Sequence, residues 1–330
     1  MSYLLEPLQV GTLRLSNRLV MPPMATAKSE SDGEVSQAIL DYYMEKSEGG
    51  YIALIIIEHS FIKQEGKASE QQLSISNDSV VKDLRELADV IHRNGSKAIM
   101  QINHAGSATT EEIIGTTPVG PSAVANPRKG NVPHELTDEE IEDIIDAFCN
   151  AARRVKEAGF DGVEIHSAHG YLLNQFFSPL TNKRADEYGG DVHNRIRIHL
   201  KIIKAVRTVV GEGFPILLRL GASDYMSGGT TIEDSKIAAR EFEKAGVNIL
   251  DISGGFLGYT IPGSTEQGYF APLTEAIKKV VSIPVILTGG ITEVQAAEQL
   301  LAEGKADLIG VGRAIFKDSK WAQKAMESLR

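Results

Sequence analysis

His166, His169 and Tyr171 lie within six positions of one another, in the run Gly162-Val-Glu-Ile-His166-Ser-Ala-His169-Gly-Tyr171. Imidazole N–H groups can bind a carbonyl oxygen and stabilise negative charge that develops on it. A phenol beside them can hand over a proton as a general acid. Arg219 interrupts the apolar run at 216–220. An arginine there implies an anionic or polar ligand facing it, or a buried ion pair with a neighbouring carboxylate. Thr288-Gly289-Gly290 and Gly310-Val-Gly312-Arg313 each place glycine after an apolar run, the second beside a cation. Glycine lets backbone N–H groups approach phosphate oxygens closely. His59 and His104 also follow apolar runs directly. For any single histidine a hydrogen-bonded structural role is the default. As a set with His166 and His169 they mark one face.

These residues need elements that bring them together. Short apolar runs at 18–24, 52–58, 98–102, 162–165, 216–220, 249–252, 285–287 and 308–311 alternate with longer amphipathic ones at 36–48, 80–93, 138–158, 194–210, 232–245, 273–281, 293–303 and 321–329. The first set reads as strands and the second as helices. Thr137 with Glu140 forms a capping box, and Gly95, Gly159, Gly246 and Gly304 fall just past helix ends, where a left-handed C-cap needs them. Eight strand–helix pairs predict an α/β fold of (β/α)8 barrel type (a TIM barrel), a single domain over 1–330. The runner-up, a doubly wound sheet, would want Gly-x-Gly-x-x-Gly after the first strand, where Pro22-Pro23-Met24-Ala25-Thr26 stands instead. Gln9-Val-Gly11-Thr signals an N-terminal hairpin that plugs the barrel's bottom. Long segments at 103–135, 167–193 and 253–272 leave the strands' carboxyl ends, the catalytic face of such barrels. The last, glycine-rich with Phe256, Tyr259 and Tyr269, reads as a mobile substrate-side lid or as a disordered excursion.

Composition narrows the partners. The 330 residues carry 34 Lys plus Arg against 44 Asp plus Glu, a formal charge of -10, which argues against nucleic acid or anionic membrane. No apolar run reaches the roughly 18 residues of a membrane span, and the N-terminus has no signal-peptide pattern. A cytoplasmic location is expected. The one cysteine, Cys149, excludes an intrachain disulfide and a thiolate-held iron–sulfur cluster built from this chain alone, and reads as a buried helix thiol. Glu164, His166 and His169 could be taken for a metal site, but His169 lies past a turn and no further ligand is near in sequence, so no metal is expected. The residues alone therefore describe a barrel holding a phosphorylated ligand beside a histidine-lined pocket. A flavin-free isomerase or lyase would fit that description as well.

The chain also resembles the Old Yellow Enzyme family of flavin-dependent ene-reductases. The resemblance runs from Asn17-Arg18-Leu-Val-Met-Pro-Pro-Met24 through Gln101-Ile-Asn-His-Ala-Gly106, Gly120-Pro-Ser-Ala123 and Ala158 to His166, then Asn182-Lys-Arg184-Ala-Asp186-Glu-Tyr-Gly-Gly190, and ends at Gly310-Val-Gly-Arg313. It implies non-covalent FMN at the barrel mouth, with Pro23, Met24, Ala25 and His59 beside the flavin ring and Gln101 on its pyrimidine edge. Arg219 would sit near N1 and O2, where a cation favours the reduced ring. Gly289, Gly290, Gly312 and Arg313 would hold the phosphate. The resemblance further implies NAD(P)H as reductant and a small enone, enal or enoate as substrate, its carbonyl bound by His166 and His169 while Tyr171 protonates Cα. A homo-oligomer, dimer or tetramer, is implied too. Ala25, Ala27 and His59 depart from residues common in relatives, which leaves open redox tuning, substrate range and a flavin-dependent dehydrogenase or demethylase role.

Overall fold

In a computed structural model describing residues 2–330, the runs at strand spacing close into one parallel barrel. Its strands are β1 (Leu19–Met21), β2 (Leu54–Phe61), β3 (Lys97–Asn103), β4 (Gly162–Ser167), β5 (Ile216–Gly221), β6 (Ile249–Ser253), β7 (Val285–Thr288) and β8 (Leu308–Gly310), each paired with its sequence neighbours and β8 with β1. Helices fill every connection between them, so the doubly wound alternative is set aside.

Alternation along each strand sorts the side chains. Outward positions such as Ile55, Val163, Leu218 and Leu250 join the large core between barrel and helices. Inward positions Leu54, Ile56, Ile99, Leu217, Ile249, Ile286 and Leu308 form a second, smaller core inside the barrel. The hairpin Leu8–Val10 with Leu13–Leu15 closes that inner core from below: Leu13 and Leu15 belong to it, and Leu8 and Val10 pack against it. Burying this apolar floor supplies stabilisation of roughly 25 cal/mol per Å².

Helix ends follow their local chemistry. Thr137 and Glu140 make the reciprocal capping box at the start of Asp138–Glu157. Thr231 and Asp234 make a second, which the sequence reading passed over. The expected helix at 194–210 is broken at Ile196 into Val192–Arg195 and Arg197–Val210. The long segments carry elements that periodicity was too short to show, including Glu111–Ile114 and Leu172–Phe177. Another short helix, Arg313–Lys317, follows β8. Among the described residues, no helix is long and apolar enough to cross a membrane.

Candidate active site

Above the apolar floor the barrel interior turns polar. The next inward positions are Gln101, Glu164, Arg219, Asp251 and Thr288, set side by side by strand register: Gln101 opposite Glu164, and Arg219 opposite Asp251. Gln101 Nε2 donates to Glu164 Oε2 at 2.7 Å. Arg219 Nε lies 3.3 Å from Asp251 Oδ2, both groups being buried. Thr288 Oγ1 donates to Asp251 Oδ1 at 3.4 Å. Burial, reinforced by the charge of Asp251, pushes the Glu164 carboxyl well above the usual carboxylate range; burial also raises Asp251, with Arg219 opposing it.

One layer higher stand the imidazoles. His166 follows Glu164 by two residues on β4 and so faces inward, in register with Arg219. His59 reaches the interior by a different route. On β2, Ile57 pairs with Met100 but Ser60 pairs with Ile102, so one extra residue is accommodated at Glu58–His59. Strict alternation from Leu54 would point His59 outward. The bulge reverses the parity and re-aims it, leaving Glu58 packed toward Tyr43, whose hydroxyl lies 3.4 Å from Glu58 Oε2.

His169 sits past the end of β4 in a turn, with φ 61° in the left-handed region, followed by Gly170 at 76°. Its backbone N–H donates to Gly254 O at 3.2 Å and its Nε2 lies 2.8 Å from Ser253 Oγ. Tyr171 then begins the helix Leu172–Phe177. The rings converge: His166 is 5.1 Å from both His169 and Tyr171, and His59 is 5.2 Å from Tyr171, centroid to centroid.

Burial and like charge keep these rings neutral. His166 is held well below the usual imidazole range by burial, then by His169 and Arg219; His169 by burial, then by Arg219 and His59. His59 is lowered to about 4 by burial and by Arg219. Burial pushes the Tyr171 phenol up to about 12. The site thus presents neutral N–H donors and a firmly held phenolic proton.

All of these groups line one cavity of about 540 Å³, within the usual range for small-molecule sites. Pro23, Met24, Ala25, His59, Gln101, His166, His169, Tyr171, Arg219, Gly289, Gly290, Gly312 and Arg313 all reach it. Ala27 does not, and neither does His104. The ring of His104 is buried against Gly66, with Nδ1 accepting from Gly106 N at 3.0 Å, which makes it a structural histidine and corrects the expectation that all four mark the face. Among the described residues, no group of three or more His, Cys, Asp or Glu is arranged to hold a metal.

The segment at 253–272 is tied down at its start: Phe256 is buried and its N–H donates to Asp224 Oδ1 at 2.9 Å. Beyond that, Tyr259 stands 62 % exposed over His169, and Tyr269 packs under the glycine turn. A Cβ on Gly290, whose φ is 71°, would fall 2.6 Å from the Tyr269 ring. Sequence reasoning missed Asp251, Ser253 and Arg128. The alternation of β6 could have exposed the first two, whereas Arg128 reaches the mouth from an irregular loop with no periodic signal.

A family model described as the NADH:flavin oxidoreductase / NADH oxidase family matches residues 3–330. The chain belongs to that family. It is 45% identical over 325 residues to an NADH oxidase of Thermoanaerobacter brockii, with 97% of this chain and 50% of the relative aligned, so it spans about half that relative's length. It is 38% identical to an NADPH dehydrogenase of Listeria monocytogenes, covering 100% of this chain and 96% of the relative. The structure of an Old Yellow Enzyme homologue from Zymomonas mobilis superposes with TM-score 0.86 at 28% identity, covering 99% of this chain and 93% of the other, which bears out the resemblance.

FMN, the cofactor this family implies, is matched by the donor set. Among the described residues, Arg219 Nε and His166 Nδ1 are buried without a hydrogen-bond partner. The backbone N–H groups of Gly290 and Gly312 have no acceptor among the described residues, and Arg313 stands beside them on the same cavity. Pro22, Pro23 and Met24 add apolar lining to the same cavity.

Proposed function

We propose that this barrel is an FMN-dependent NAD(P)H oxidoreductase that reduces the C=C bond of α,β-unsaturated carbonyl compounds, whether enones, enals or enoates. When bound, FMN supplies hydride exchange between the nicotinamide and the acceptor. Gln101 and Arg219 hold the polar edge of its ring, and Gly289, Gly290, Gly312 and Arg313 hold its phosphate. Pro23, Met24 and Ala25 line the ring. His166 and His169 donate N–H groups to the substrate's carbonyl oxygen and stabilise the charge that builds there as Cβ is reduced. Tyr171 holds the proton that Cα receives.

The observation that carries this reading is the convergence of His166, His169 and Tyr171, all kept uncharged, on the cavity that Arg219 also faces. Uncharged imidazoles act as donors without drawing a carboxylate partner into the site, and a phenol raised to about 12 is protonated throughout the working pH range. Nicotinamide and substrate share one cavity mouth, so turnover is ping-pong.

The test is a turnover panel. Protein reconstituted with FMN is given NADH or NADPH with cyclohexenone, maleimide or a cinnamic-type acid, and saturated products are sought. Protein that stays colourless after FMN addition, or that binds FMN and oxidises nicotinamide with no saturated product from any of them, contradicts the proposal.

A further inference from the structure

We infer that His59, fixed by Gln72, is a specificity-determining residue that gives the substrate pocket a third N–H donor and fits it to acceptors bearing two oxygens, above all a carboxylate. The inference rests on the proposed reduction of unsaturated acceptors and narrows its substrate class.

The argument begins with Gln72. Its Oε1 accepts from the Ala68 backbone N–H at 2.6 Å, which identifies the oxygen and leaves Nε2 as the donor. Nε2 donates to His59 O at 3.0 Å and lies 2.6 Å from His59 Nδ1. Nδ1 must therefore accept, and in a neutral imidazole the proton is then on Nε2. The His59 ring lines the cavity, and its Nε2 has no partner among the described residues and is not fully buried, so it opens into the cavity. Three imidazoles thus adjoin on one cavity: His166 is 5.1 Å from His169 and 6.2 Å from His59, centroid to centroid. His166 and His169 suffice for one oxygen. The third donor is positioned for a second.

Charge points the same way. The cavity lining contains Arg128, Lys129, Arg219 and Arg313 and no aspartate or glutamate. With Arg313 at the glycine turns and Arg219 in the barrel, Arg128 and Lys129 remain at the histidine end, where Arg128 Nη1 approaches His169 O at 3.4 Å. A cavity so lined favours an anionic ligand.

Two experiments decide it. In the first, the unreactive pair benzoate and acetophenone is titrated into FMN-loaded protein, and the ratio of their dissociation constants is compared between wild type and His59→Ala. Losing a hydrogen bond to a charged group shifts that ratio by about 10- to 100-fold against benzoate; an unchanged ratio overturns the inference. In the second, NMR of protein labelled with 15N-histidine reads the tautomer. His59 protonated at Nε2 at neutral pH, converting to a mixture in Gln72→Leu, is expected; a proton on Nδ1 in the wild type overturns it. Neither measurement needs turnover, so failure to reduce any acceptor would strike the proposed activity and leave this inference to its own readouts. If the activity holds, the ratio of KM for a cinnamic-type acid to KM for cyclohexenone rises about 10-fold or more in His59→Ala, and an equal change in both KM values counts against it.

Discussion

Arg219 and Asp251 lie opposite each other on adjacent strands with Nε 3.3 Å from Oδ2, so the arginine that faces the cavity is also half of a buried ion pair. Of the two readings open at the sequence level, the structural pair is present, and the ligand contact is the one proposed for the face Arg219 turns to the cavity. The carboxylate offsets the cost of burying the cation, while Arg219 Nε has no hydrogen-bond acceptor among the described residues. Replacing Arg219 by Gln should therefore weaken FMN retention by about 10- to 100-fold, the usual loss for a charge-assisted hydrogen bond. Quenching of flavin fluorescence on titration measures it, and undiminished affinity would remove Arg219 from the cofactor site.

Tyr171→Phe separates the half-reactions. On the proposed mechanism, reduction by NAD(P)H needs no proton from the phenol, whereas reduction of the unsaturated acceptor does, and a positioned general acid contributes about 100- to 10,000-fold. With the phenol raised to about 12 by burial, the wild-type acceptor step should run flat from about pH 6 to about pH 10 as far as this group is concerned. Rapid-mixing rates for each half-reaction check both points.

The histidines predict a silent pH range. His166 and His169 are held well below the ordinary imidazole value by burial, so both remain neutral donors on either side of pH about 6.5. KM for cyclohexenone should show no inflection there, and His166→Ala should raise it by about 10-fold or more.

Glu58 makes a stability prediction. Burial raises its carboxyl from 4.5 to about 7, against hydrogen bonds from Thr26 and Tyr43 that lower it. The folded state then binds a proton that the unfolded state has lost. The associated stability is present in full below about pH 4.5 and disappears as pH rises through about 7, amounting to about 3 kcal/mol in all. Glu58→Gln does not titrate. The variant's stability relative to wild type should therefore rise by that order between about pH 4.5 and pH 8, read by urea denaturation at several pH values. A difference that does not change with pH would show that Glu58 titrates normally.

The barrel was legible because its signals are local and repeated. Inward and outward alternation, glycine C-caps and the Thr137–Glu140 box each appear within a few residues, and the hairpin at Gly11 carries its own turn chemistry. The cavity residues were legible because Arg219 and His166 fall on regular inward positions of strands. His59 is different. Its inward direction depends on a bulge against β3, a pairing between strands some forty residues apart that no single-strand pattern encodes. His104 failed in the opposite sense: it comes directly after an apolar run as His166 does, yet it lies past the end of β3, where the chain turns and buries it against Gly66. Gln72, which sets the tautomer of His59, comes from a loop with no periodicity.

The most direct measurement of the central claim is an anaerobic double-mixing experiment on FMN-loaded protein. NAD(P)H should bleach the flavin absorbance, and cyclohexenone added next should restore it with one equivalent of cyclohexanone formed per flavin. Bleaching that the enone cannot reverse, or that it reverses without saturated ketone, would contradict the assignment of His166, His169 and Tyr171 to the reduction of a conjugated C=C bond.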